Sequence, residues 1–151
     1  VRHGGIRAVV LMASIFSFAC AGKRPADLGP RDGRLRPCPA SPNCVCSDDT
    51  REGARVPPLD TGGDPARAWT RLQDLLRSQA QATIVTAGAD YLHVEFRSRL
   101  FGFTDDVEFH LRPAEGIIAV RSASRLGYSD LGVNRSRIEA IRRLLLDTPG
   151  G

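Results

Sequence analysis

The sequence predicts an α+β fold: a two-layer sandwich in which two helices cover one face of a four-stranded antiparallel sheet. Three observations carry this. Four strand-like segments follow one another across short glycine-containing turns, two of them alternate strictly between apolar and polar residues, and an amphipathic helix stands at either end of the set.

The first helix is expected over residues 65–80. Asp64 offers an oxygen to cap free backbone amides, and Pro65 sits at the first helical position, where its missing N–H costs nothing. Ala68, Trp69, Leu72, Leu75 and Leu76 make its apolar stripe.

Strands are expected over residues 82–86, 91–98, 105–112 and 117–123, separated by turns containing Gly88, Gly102 and Gly116. Connections this short pair neighbouring strands antiparallel. In the second strand Leu92, Val94 and Phe96 alternate with Tyr91, His93, Glu95 and Arg97; in the third, Val107, Phe109 and Leu111 alternate with Asp106, Glu108 and His110. One sheet face is therefore apolar, and the other is expected to be polar and solvated. A second helix over residues 135–147, capped by Asn134, brings Ile138, Ile141, Leu144 and Leu145 to one side.

Upstream, Arg2 and Arg7 precede an apolar run from Ala8 to Phe18 that closes on Ala19-Cys20-Ala21. A charged front, a run too short to span a bilayer and a small residue before the cut are the marks of an export signal. Residues 1–19 are read as a signal peptide and Cys20 as a lipidation site, giving a membrane-anchored protein of the bacterial cell envelope. Ser17 and Phe18 depart from the usual cleavage pattern, so ordinary secretion or an uncleaved anchor stay open. Residues 20–63, rich in Pro and Gly and without periodicity, read as tether and irregular arm, and residues 64–148 as the domain.

The chain has 21 basic and 17 acidic residues, but seven of the basic and two of the acidic ones precede Cys38, leaving 14 against 15 beyond it. The basic excess belongs to leader and tether and does not argue for a nucleic-acid partner. Beside a lipidated cysteine it suits anionic headgroups.

Without Cys20, the cysteines are Cys38, Cys44 and Cys46. In an oxidising compartment one pair is expected to bridge. Cys38–Cys44 closes a compact proline-containing loop, whereas Cys44–Cys46 forces a strained ring across Val45. A zinc site is the alternative, but the spacing lacks a knuckle and no His is near, so no metal or other cofactor is expected.

Two further places offer chemistry. His93, Glu95, Asp106, Glu108 and His110 on the polar strand positions are candidates for metal ligands or an acid/base pair, or simply a solvated face with cross-strand ion pairs. The run from Arg121 to Arg137 is rich in hydroxyls, arginines and glycines and leads into a helix N-terminus. Arg121, Arg125 and Arg135 with the free amides there form a candidate seat for a phosphate or carboxylate, unless Asp106 and Asp130 neutralise the arginines. No nucleophile elbow, Walker loop or zincin helix occurs.

Three blocks, CPASPNCV, YLHVEFRSRLFGFTDDVEFHL and IAVRSASRLGYSDLGVNRSRIEAIR, resemble the domain-of-unknown-function family numbered 1499 over about Cys38 to Leu145. The resemblance implies a small exported or membrane-associated protein and no established activity. Its motif falls on Cys38, Pro42, Asn43, Cys44, Asp105, Asp106, Glu108, Arg121, Ser122, Ser124, Arg125, Asp130, Asn134 and Arg135; Cys46 stands where serine is usual. The resulting expectation is a non-enzymatic envelope lipoprotein. Its domain would bind an anionic ligand or protein partner through Arg121, Ser122, Ser124, Arg125, Asp130, Asn134 and Arg135, close to Asp105, Asp106 and Glu108. A hydrolase using Asp106, Glu108 or His110, and a membrane-tethered scaffold or assembly factor, are the rivals.

Overall fold

The computed structural model describes residues 22–98 and 102–147; the expected signal peptide and Cys20 lie outside them. No helix among the described residues is long and apolar enough to cross a membrane.

The elements in chain order are β1 (Cys44–Cys46), β2 (Leu59–Asp60), α1 (Pro65–Ser78), β3 (Ala82–Ala87), β4 (Tyr91–Arg97), β5 (Thr104–Arg112), β6 (Ile117–Ser124) and α2 (Val133–Asp147). The fold is α+β, as expected, but the sheet has six strands where four were expected. All pair antiparallel in the order β1-β6-β5-β4-β3, with β2 also on β6. Both extra strands come from the segment read as irregular arm. They pair along the outer edge of β6, Cys44 opposite Ala123 and Leu59 opposite Ile118, and satisfy backbone groups that an edge strand would leave open.

Helix α1 starts as its sequence dictates, with the Asp64 carboxylate accepting from the Arg67 amide at 3.0 Å and Pro65 in the first turn. Trp69, Leu72 and Leu76 are buried, and Ala68 and Leu75 pack beside them. Helix α2 begins two residues earlier than expected, at Val133, and its cap is Asp130 rather than Asn134. The Asp130 carboxylate accepts from the Asn134 and Gly132 amides at 2.7 and 3.0 Å. Ile138 and Ile141 are buried and Leu145 packs on the core, while Leu144 turns outward.

The helices cover Leu92, Val94, Phe96, Val107, Phe109, Leu111, Ile118 and Val120, and Val45, Val56 and Leu59 from the arm join the same core. Burying side chains of this size contributes about 1.5–3 kcal/mol each.

The opposite face is not the solvated surface expected. Every residue of β5 is buried, including Asp106, Glu108, His110 and Arg112. Residues of the arm lie over it, with Leu35, Cys38, Cys44, Cys46 and Ala119 forming a second small apolar cluster. The expected Cys38–Cys44 disulfide is present, with a Cα–Cα distance of 5.6 Å. Cys44 belongs to β1 and Cys38 to the arm, so the bond ties the cover to the sheet. The Asp49 carboxylate receives the Cys38 amide at 2.9 Å, and Asp48 receives the Leu35 amide at 2.8 Å.

Candidate functional site

Because neighbouring strand residues point to opposite faces, the ten candidate residues divide. Asp106, Glu108, Arg121 and Arg125 lie under the arm; Asp105, Ser122, Ser124 and Asn134 lie on the helix side; Asp130 and Arg135 sit at the start of α2. They do not form one site.

Under the arm the charges interlock. Arg125 donates to both oxygens of Asp106, Nε to Oδ2 at 2.8 Å and Nη2 to Oδ1 at 2.7 Å, and also to Glu95. His93 Nε2 lies 2.7 Å from Asp106 Oδ1. Burial alone would raise the Asp106 pKa, but the hydrogen bonds from Arg125 and His93 outweigh it and hold the carboxyl below its usual range. Those bonds to Asp106, with the one to Glu95, hold Arg125 firmly protonated. Glu108, opposite Arg121 in register, accepts from Arg121 Nη1 at 3.1 Å, from the Tyr91 hydroxyl at 2.9 Å and from the Gly29 amide of the arm at 2.7 Å. Burial and the Glu108 charge push the Tyr91 phenol up.

Arg121 is 2% exposed, and its Nε is the one buried side-chain nitrogen or oxygen among the described residues without a hydrogen-bond partner. It lines a cavity of about 300 Å³ beneath the arm together with Lys23, Arg36, Asp106, Ser124 and Arg125. Arg36 pairs with Asp27, yet burial and the neighbouring Arg121 charge lower its pKa. Lys23 has no ion-pair partner among the described residues. Among the described residues, Lys23 is thus the one cation lining this space without a carboxylate partner, since Arg36 pairs with Asp27, Arg121 with Glu108 and Arg125 with Asp106 and Glu95.

The helix side holds a second network. Asn134, fully buried, donates through Nδ2 to Asn43 O at 3.1 Å, Ser124 Oγ at 2.9 Å and Asp130 at 2.7 Å, while its Oδ1 accepts from Ser122 and Arg137. Arg137 pairs with Asp105 and lies over the Phe96 ring, 4.8 Å from its centroid. This network ties the loop to β1 and β6. At the helix start, the amides proposed to seat an anion already serve the Asp130 carboxylate, and Arg135 donates to the carbonyls of Arg55 and Gly53. A cavity of about 370 Å³ lies nearby, lined by Arg51 and Arg135. Arg51 is taken by Asp49 at 2.7 Å.

His93, Glu95 and Asp106 bring one ligand atom each within 4.8 Å of one another, the spacing a metal ion requires. Arg125 bridges Glu95 and Asp106 and supplies the positive charge there. His110 stands apart, beside Arg112 and Asp90, and takes no part in the cluster. The third cysteine, Cys46, is buried and unbridged, and burial pushes its thiol up to about 11.

The model of the family described as a protein of unknown function, DUF1499, matches residues 34–145. The chain belongs to the DUF1499 family. Neither the curated proteins nor the solved structures gave a match to the chain. In this DUF1499 domain the polar motif residues anticipated above fall into the two networks just described and the start of α2, while Cys38 and Cys44 form the disulfide. Sequence reasoning missed Lys23 and Arg36, counted only as tether charge, and Arg137, the partner of Asp105. Arg137 was findable: three residues beyond Asn134, it lies on the same helix face.

Proposed function

We propose that this protein is an exported, lipid-anchored and non-enzymatic binding module of the bacterial envelope that receives an anionic group in the cavity beneath its arm. The observation that carries the reading is the cavity lined by Lys23, Arg36, Arg121 and Arg125, behind which the buried Nε of Arg121 has no hydrogen-bond partner. A buried guanidinium nitrogen without an acceptor is costly, and a phosphate or carboxylate oxygen is the acceptor that suits it. Binding is favoured over hydrolysis because Asp106 and Glu108 are each held by a guanidinium, which leaves neither placed to move protons.

The test is a titration of the full-length protein with inorganic phosphate, followed by amide chemical shifts. Saturable shifts at Arg36, Ser124 and Arg125 are expected, and Lys23→Ala or Arg36→Ala should weaken binding about tenfold, the worth of one charge-assisted hydrogen bond. Shifts that never saturate, or that ignore both substitutions, overturn the reading.

A further inference from the structure

Seven large hydrophobic side chains are exposed among the described residues, and five of them, Phe103, Leu126, Tyr128, Leu131 and Val133, belong to one end of the molecule. The topology puts them there. β4 ends at Arg97, β5 begins at Thr104 opposite it, β6 ends at Ser124 opposite Asp105, and α2 starts at Val133. The Arg125 amide donates to the Thr104 carbonyl, which joins the β4–β5 turn to the loop after β6. Leu131 is 94% and Tyr128 76% exposed. Leu131 also holds a left-handed φ of 54°, a conformation that residues with a side chain rarely adopt. Folding alone gives no reason to present leucine in that way.

The chain enters the fold at this same end. The Gly22 backbone lies so close to the loop that a Cβ there would come within 2.8 Å of Arg125 Cβ and 3.2 Å of Leu126 Cγ. Cys20 is two residues earlier, a reach of at most about 7 Å. Lys23 and Arg97, both exposed, lie at this end too and suit anionic headgroups.

We propose that the loop of residues 126–133, with Phe103 beside it, docks in the surface of the lipid bilayer and holds the domain against the membrane rather than away from it on a tether. This rests on the lipid-anchor part of the function proposed above and not on the anion cavity. An exposed apolar loop with two exposed cations at the same end is suited to the boundary between headgroups and acyl chains, and Tyr128 has the amphipathic ring favoured there.

The experiment places a tryptophan reporter in the full-length protein, Tyr128→Trp at the tip or Leu146→Trp at the far end of α2. Vesicles of phosphatidylethanolamine and phosphatidylglycerol with brominated acyl chains are then added. Trp69, buried in the core, gives a constant background. Tyr128→Trp should lose most of its added emission and Leu146→Trp keep it, and combining Leu131→Asp with Tyr128→Trp should restore the emission. If both reporters are quenched equally, or neither is, the docking is overturned, and a protein bound to the loop in its place has the same meaning. The mass of the N-terminal peptide reports lipidation of Cys20 separately, so loss of the anchor and loss of the docking are told apart.

Discussion

Arg125 holds Asp106 by two parallel hydrogen bonds, at 2.8 and 2.7 Å, on a sheet face covered by the arm. Asp106 is 1% exposed, so removing its partner leaves a buried carboxylate with only His93. Arg125→Ala should cost about 3–5 kcal/mol, while the double change with Asp106→Ala should cost clearly less than the sum of the single ones. Urea denaturation midpoints of the four proteins check this. Additive losses would mean that the pair is not coupled.

Acid should destabilise the domain, through the same face and through the α2 cap. Asp48, Asp49, Glu95, Asp106 and Asp130 all have carboxyl pKa values held below the ordinary range by hydrogen bonds and ion pairs that outweigh burial. A depressed folded pKa means that the unfolded chain binds protons first. The stability is therefore full above about pH 4–4.5, the unfolded values, and is lost as pH falls through the folded ones. At the alkaline side Cys46 acts in the other direction, its thiol raised from 9.0 to about 11. That contribution is present below the unfolded value and falls away as pH rises toward 11. Denaturation midpoints should fall along both limbs, with a further decline as pH drops through the ordinary histidine range because burial and Arg112 lower the His110 pKa, and Cys46→Ala should remove the thiol's share of the alkaline limb.

The elements that could be read from sequence are those whose pattern is local. α1 and α2 announce themselves through Asp64-Pro65 and their apolar stripes, and β4 and β5 through strict alternation. β1 and β2, at three and two residues, are too short for alternation to register, and their pairing with β6 is set by distant contacts. Alternation also established that His93, Asp106 and Glu108 share a face, without telling whether water or an aperiodic arm covers it. Grouping Asp105 with Asp106, and Ser124 with Arg125, ran against strand parity, which places each pair on opposite faces. The unpartnered nitrogen of Arg121 depends on register and on where the arm lies, and neither is written in any local pattern.

The disulfide should be a fastener of the arm. Its seven-residue loop, Cys38 to Cys44, predicts about 2 kcal/mol from restricted unfolded-chain entropy. Replacing both cysteines with serine should lower the denaturation midpoint accordingly and speed hydrogen exchange at the Leu35 and Cys38 amides, which are bonded to Asp48 and Asp49. Phe109, in the core on the other side of the sheet, should keep its protection. Cys46 should resist thiol reagents in the folded protein and react once it is unfolded, because its sulfur is buried.

Asn134 should tolerate replacement least among the polar motif residues on the helix side. Its amide serves Asn43, Ser124 and Asp130 as donor and Ser122 and Arg137 as acceptor, so Asn134→Ala strands several buried groups at once. Each group left unsatisfied costs about 1–3 kcal/mol, enough to exceed the loss expected for a surface cap alone. Asn134→Asp keeps the shape but replaces the Nδ2 donor with a second carboxylate beside Asp130, and should be at least as harmful. Asp130→Ala removes the cap and one partner and should cost less than either. Thermal denaturation of the three variants tests the order, and Asp130→Ala proving the worst would move the keystone of this loop from Asn134 to the helix cap.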